Sequence, residues 1–290
     1  MWFYFCRESI MEEAFHSDPI LKVRDLEVTY ITDNGDFKAV KSVSFDIGKS
    51  EIFGLAGESG CGKSTIAFAI NRLHKPPALI TKGSIEYDGT NLIALTEQQM
   101  GVVRWKDIAM VFQSAMNSLN PVLPIQEQFA DIMRHHLGYS NEQAKERAEK
   151  LLDLVNIPRE RLSEYPHQFS GGMRQRLVIA IALCLNPKLI VMDEPTTALD
   201  VVVQREILQQ IYQLRKEFDF SVLFITHDLA LMSQLCDRIA VMRYGEIVEV
   251  NQAREIRNNP QHPYTQKLWA SFPNIHEDAP HVSISAEEIS

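Results

Sequence analysis

Residues 57–64 read Gly57-Glu58-Ser59-Gly60-Cys61-Gly62-Lys63-Ser64, a G-x-x-x-x-G-K-S run. Glycine lets a backbone approach a ligand closely and adopt dihedrals closed to other residues. Successive amide N–H groups of such a loop point at phosphate oxygens, backed by the positive end of the following helix. Lys63 adds a point charge between β- and γ-phosphates. Ser64 offers a hydroxyl to Mg²⁺, a hard cation that keeps most of its waters. The expected phosphate contacts run from Gly57 to Thr65 and include Glu58, Ser59, Gly60, Cys61 and Gly62. The plainer alternative is an ordinary turn. A strand before and a helix after select the phosphate-binding reading.

A second group follows. The apolar run Leu189-Ile190-Val191-Met192 ends in Asp193-Glu194. A buried strand end can aim a carboxylate at a metal ion. Adjacent side chains of an extended chain point to opposite sides. Asp193 can therefore serve Mg²⁺ while Glu194 faces an attacking water, as general base or water-positioning group. The alternative is that Asp193-Glu194-Pro195 merely caps a strand. His227 follows a further apolar run, at 222–226. A lone histidine there is a structural group or cap; in company with the rest it reads as a γ-phosphate contact.

Composition sets the bounds. The 290 residues are 45% apolar and 23% charged, ordinary for a globular chain with ample core. The net charge of −9 does not advertise nucleic-acid binding, and no nucleic-acid partner is expected. Cys6, Cys61, Cys184 and Cys236 are scattered without C-x-x-C spacing, which argues against a disulfide framework or a closed zinc site. No stretch approaches the roughly 18–20 apolar residues that span a bilayer. Residues 1–19 read as a disordered leader, with Met11 the expected true start and no secretory signal.

The surrounding elements must hold these groups in place. Residues 21–31 and 37–47 read as strands around a turn at 32–36, an antiparallel β layer. Residues 50–56 read as a buried strand feeding the Gly-rich loop, and 64–73 as a helix ended by Pro76 and Pro77. Between about 121 and 170 lies a helical lobe, with helices at 125–137 and 140–155. Ser140 and Gln143 make a capping box there, and Ala144, Ala148, Leu151, Leu152 and Val155 an apolar stripe. Past Gly171 a helix to about 185, a strand at 189–192, a helix at 201–218 and a strand at 222–226 alternate. That rhythm implies a mostly parallel sheet covered on both faces. A final hairpin turns near Gly245, and the tail from 274 reads as disordered.

Ser170-Gly171-Gly172 with Arg174-Gln175-Arg176, ahead of Asp193-Glu194, resembles the signature motif of ATP-binding-cassette ATPases. The likeness covers roughly residues 20–272. It implies an α/β fold: a P-loop NTPase core with mostly parallel sheet, an N-terminal antiparallel β layer and an inserted helical subdomain. It implies ATP and Mg²⁺ as cofactors. It also implies roles at matching positions. Tyr30 would stack on adenine, and Gln113 would touch Mg²⁺ and sense a membrane partner. Ala198-Leu199-Asp200 would join two subunits, and His227 would be the switch histidine. Ser170 and Gly172 would contact the γ-phosphate held by a second subunit. Met173 departs from the usual glutamine, with no expected loss of activity.

Met173, the Asn117-Ser118-Leu119-Asn120-Pro121 stretch and His262-Pro263-Tyr264-Thr265 narrow the likeness. They resemble the peptide and nickel branch of bacterial importers. The implied organisation is an ATPase domain over 20–250, a C-terminal extension of the oligopeptide-transporter type over 251–273 and a tail over 274–290. The implied partners are two transmembrane permease subunits, a second ATPase subunit and, through the permease, an extracytoplasmic solute-binding protein. The implied location is peripheral, at the cytoplasmic face of the inner membrane. No iron–sulfur cluster is expected, because the family's cysteine-rich tail is absent. The expected cargo is oligopeptide or dipeptide, with chito- or cello-type oligosaccharide as alternative. A soluble cassette ATPase is the alternative of another class. Lys63 and Asp193 are 130 positions apart, too close for the coiled coil of repair-type members. Glu194 and His227 together argue against a degenerate, non-hydrolysing subunit.

Overall fold

The computed structural model describes residues 18–33, 35–112, 118–197 and 199–271. Its strands form two sheets. β1 (Leu21–Tyr30), β2 (Phe37–Ile47), β4 (Ala78–Tyr87) and β5 (Thr90–Asn91) make an antiparallel sheet in the order β2-β1-β4-β5. The second sheet contains β3 (Ile52–Ala56), β6 (Ile108–Val111), β7 (Leu189–Asp193), β8 (Ser221–Thr226), β9 (Arg238–Arg243) and β10 (Glu246–Gln252). Its order is β10-β9-β3-β8-β7-β6. All neighbours from β9 to β6 run parallel; β10 alone joins antiparallel.

β3, β6, β7 and β8 are buried along their whole length. They are apolar on both faces, as a parallel sheet sandwiched between layers demands. Alternate residues serve two cores. Ile52, Ile190, Met192, Val222 and Phe224 face one, while Phe53, Leu55, Leu189, Val191, Leu223 and Ile225 face the other. Helices α1 (Lys63–Ile70), α2 (Glu97–Lys106), α3 (Ile125–Leu137), α4 (Asn141–Leu154) and α5 (Gly171–Ala182) lie in the first two thirds of the chain. α6 (Val201–Phe218), α7 (Leu229–Leu235), α8 (Ala253–Asn258) and α9 (Pro263–Ala270) follow. The first core is continuous with α3 to α6. The second takes in α1 and the antiparallel sheet.

Strong local signals are borne out. Ser140 Oγ accepts from the Gln143 N–H at 3.3 Å, and Gln143 Oε1 accepts from the Ser140 N–H at 2.8 Å. The five stripe residues of α4 and its cap are all buried. The hairpin turns at Tyr244-Gly245, both with positive φ, the backbone a two-residue turn needs. Two helices are shorter than their patterns suggest. α1 stops at Ile70, where the Asn71 side chain donates to the Ala67 carbonyl and Arg72 turns left-handed at φ 50°. α5 stops at Ala182, before Leu183. The elements β4, β5, α2, β6, α7, α8 and α9 were not anticipated, although Thr96 and Gln99 make a capping box at the start of α2. The leader at 1–17, Gln113, Asn117, Ala198 and the tail lie outside the described residues.

Candidate active site

The C-terminal ends of parallel strands collect the site, where open α/β sheets bind ligands. β3 delivers Gly57, β7 delivers Asp193 and β8 delivers Thr226 before His227. Gly57 sits at φ 150°, and a Cβ there would meet the Met242 carbonyl oxygen at 2.4 Å. Gly62 caps α1 at φ 109°, with the Ala39 carbonyl oxygen 2.5 Å from any added Cβ. Both positions need glycine for space as well as for dihedral. The Cys61 N–H donates to the Glu58 carbonyl at 3.3 Å, and the Gly245 N–H donates to the Cys61 carbonyl at 3.1 Å. The β9–β10 hairpin thus braces the loop.

Lys63 is only 5% exposed. Its ammonium donates to the carbonyls of Gly57 (2.7 Å) and Glu58 (2.8 Å), so the charge is held across the mouth of the loop. Cys61 Sγ lies 3.7 Å from it. Burial nevertheless pushes the Cys61 thiol up, so it stays protonated and is no nucleophile.

Asp193 is 2% exposed. Burial raises its carboxyl pKa and the adjacent Glu194 adds to the rise; the Ser64 hydroxyl and the Lys63 charge oppose it. Its Oδ1 is buried without a hydrogen-bond partner. A buried carboxylate oxygen with no partner is costly, and a divalent cation would satisfy it. Ser64 and Asp193 supply an all-oxygen donor set, as Mg²⁺ requires. Among the described residues no cluster of three or more His, Cys, Asp and Glu could hold a metal.

Glu194 leaves the strand at φ 48°, left-handed for a non-glycine residue. Its N–H donates to the Ile225 carbonyl at 2.9 Å, which holds the turn. Strain of this kind persists only where its surroundings enforce it, and it gathers at functional sites. Thr197 Oγ1 donates to Glu194 Oε2 at 2.9 Å, and His227 Nδ1 lies 3.3 Å from Oε1. The histidine is largely exposed, while Glu194 is 14% exposed.

Two clefts meet at Glu194. The first, about 330 Å³, is lined by Tyr30, Phe37, Ala39, Ser59, Lys63, Ser64 and others. The second is lined by Gly57, Glu58, Ser59, Glu194, His227 and Leu268. Tyr30 thus shares a wall with the phosphate loop. Phe37, its cross-strand partner, stands beside it. Phe37, Thr197 and Leu268 escaped the sequence reading. A hairpin register for β1–β2 would have found Phe37, and the i+3 spacing from Glu194 would have found Thr197. Nothing local points to Leu268.

Ser170, Gly171, Gly172 and Asp200 line neither cleft. Ser170 Oγ caps α5 by accepting from the Met173 N–H at 3.4 Å. Asp200 Oδ1 caps α6 by accepting from Val202 and Val203 at 3.1 and 3.0 Å. The Met173 thioether accepts from Arg161 at 3.3 Å, so methionine has a role in this packing. A Cβ at Gly172 would lie 2.6 Å from Val203 Cγ1. Valine on a helix has one favoured rotamer and cannot swing aside. Gly172→Ala therefore lowers stability by about 1–3 kcal/mol through overpacking. Adding Val203→Ala recovers most of that loss in thermal melts; no recovery would show that the clash is not the cause.

The model of the family described as "ABC transporter" matches residues 40–197, and that of "Oligopeptide/dipeptide transporter, C-terminal region" matches 248–289. The oligopeptide transport ATP-binding protein OppD of Bacillus subtilis is 46% identical, over 88% of this chain and 72% of that protein. The dipeptide transport ATP-binding protein DppD of the same organism is 43% identical over 89% and 78%. OppD of Salmonella typhimurium is 41% identical over 88% and 77%. A dimeric ATP-binding cassette in a post-hydrolysis state, bound to ADP and phosphate, superposes with TM-score 0.71. It is 30% identical and covers 81% of this chain and 99% of its own.

Proposed function

Since the chain belongs to the ABC transporter ATPase family, we propose that it powers a bacterial importer of oligopeptides or dipeptides. The carrying observation is the convergence of Lys63, Asp193 and the Glu194–His227 pair at three strand ends of one sheet. The peptide assignment draws on the second family match and on the names of the relatives. No described helix is long and apolar enough to cross a membrane. We place the chain at the cytoplasmic face, docked on two permease subunits and fed by an extracytoplasmic solute-binding protein.

Phosphoryl transfer to water needs positioning and charge neutralisation more than covalent chemistry. The loop from Gly57 to Thr65 binds the phosphates through its N–H groups. Lys63 places a positive charge against the β- and γ-oxygens, and Tyr30 stacks on the adenine ring with Phe37 at its side. Ser64 and Asp193 would hold Mg²⁺, with Gln113 as the further ligand the resemblance implies, and the ion would neutralise charge on the phosphate oxygens. Glu194 accepts a hydrogen bond from the water and orients it. His227 steadies that carboxylate and reaches the γ-phosphate. Ser170 to Gly172 stand at the start of a helix and line neither cleft of their own loop, which suits a γ-phosphate held by a second subunit. Asp200 stabilises the neighbouring loop at that contact. ATP between two subunits favours their closure, and hydrolysis removes the preference.

The test is uptake by membrane vesicles carrying the assembled transporter. Labelled di- and oligopeptides enter with ATP and fail to enter once Mg²⁺ is chelated. Uptake of oligosaccharides in place of peptides would replace the cargo assignment.

A further inference from the structure

The last helix, α9, reaches the phosphate loop. The Glu249 carboxylate on β10 accepts from the N–H groups of Gln261 (2.8 Å) and His262 (3.0 Å), which pins the turn before α9. His262 caps that helix, its Nδ1 accepting from the Tyr264 N–H at 3.1 Å. Pro263 takes the first helical position, where its fixed φ fits and its missing N–H costs nothing. His262-Pro263-Tyr264 is thus one local device that aims Tyr264 inward. The Tyr264 ring is 6% exposed, with the Arg243 guanidinium 4.8 Å over it. Its hydroxyl lies beside Glu58 of the loop. Burial raises the phenol's pKa, and the Glu58 backbone opposes the rise. One helical turn on, Leu268 lines the second cleft with Gly57, Glu58, Ser59, Glu194 and His227.

We infer that Tyr264 and Leu268 are positioning residues for the hydrolysis proposed above, on which this inference rests. Tyr264 buttresses the phosphate loop at Glu58. Leu268 is an apolar wall of the cleft beside Glu194, whose side chain is only 14% exposed. A loop already held in its binding shape loses less freedom when phosphate arrives, so its affinity rises. A hydrocarbon wall thins the water around Glu194, strengthens the electrostatics there and leaves the carboxylate a water it can orient. The first effect acts on binding and the second on turnover.

Steady-state ATP hydrolysis by the full chain separates them. Tyr264→Ala raises KM for ATP about tenfold and changes kcat less, while Tyr264→Phe keeps the ring and the original KM. Leu268→Ala lowers kcat about tenfold at nearly constant KM. A purely structural role would lower the melting temperature and leave both constants unchanged below it. Each residue stands on its own constant: an unmoved KM removes Tyr264, and an unmoved kcat removes Leu268. Should Tyr264→Ala not fold, the half-buried Leu268 decides, and the inference falls if its kcat holds. Lys63→Ala, measured alongside, divides two kinds of failure. Normal hydrolysis by Lys63→Ala would show that the site itself is misread. Loss of hydrolysis in Lys63→Ala, with normal Tyr264→Ala and Leu268→Ala, would overturn this inference alone.

Discussion

Glu194→Gln binds ATP as the unmodified chain does and hydrolyses it roughly 10²–10⁴-fold more slowly, the span that a positioned acid–base group contributes. The substitution keeps the shape of the side chain. It removes the negative charge and the lone pair that must face the water. The turn survives, because the main-chain bond from Glu194 to the Ile225 carbonyl is untouched. Thr197 can still donate to the remaining carbonyl oxygen at the position of Oε2. What is lost is the group that selects one water orientation, with His227 3.3 Å behind it. In the assembled transporter the same variant accumulates in the ATP-bound, closed arrangement of two subunits, since closure depends on ATP remaining intact. A single-turnover measurement with radiolabelled ATP reads the chemical step directly. Near-normal hydrolysis would falsify the role given to Glu194 and return the reaction to some other carboxylate.

Lys63→Ala weakens nucleotide binding roughly 10–100-fold, the equivalent of about 1.5–3 kcal/mol for a hydrogen bond to a charged group. Lys63 is 5% exposed, and its ammonium is held by two backbone carbonyls of the loop. It is therefore pre-positioned, and little side-chain freedom is lost when phosphate arrives. A surface lysine would bring much less, because solvent screens it. The variant also leaves the Gly57 and Glu58 carbonyls without this donor, so a modest fall in melting temperature accompanies the loss of affinity. The decisive comparison is a nucleotide titration below that temperature. Unchanged affinity there would mean that the phosphates are bound elsewhere. The two variants fail at different steps, one at turnover and one at binding, and a single assay series tells them apart.

Much of this arrangement was legible in the residues because its causes are local. A Gly-rich run between strand and helix, an apolar strand ending in two carboxylates and a Ser140–Gln143 cap each write their physics within a few positions. Period and burial agree where both faces of a strand meet a core, as in β7 and β8. The β4–β5 ribbon escaped because only some of its side chains are buried, and its strand character comes from pairing with β1, far back in the chain. The placing of Phe37 opposite Tyr30, of Val203 against Gly172, and of Tyr264 and Leu268 beside Glu58 is also of this kind. Some 200 positions separate the loop from α9, and no periodicity spans such a distance. Which apolar side chain becomes the wall of a cleft is set by how whole layers pack, and packing exists only once the chain has closed on itself. The chemistry of the loop was written in eight consecutive residues; the surfaces that hold it in shape were supplied by the fold.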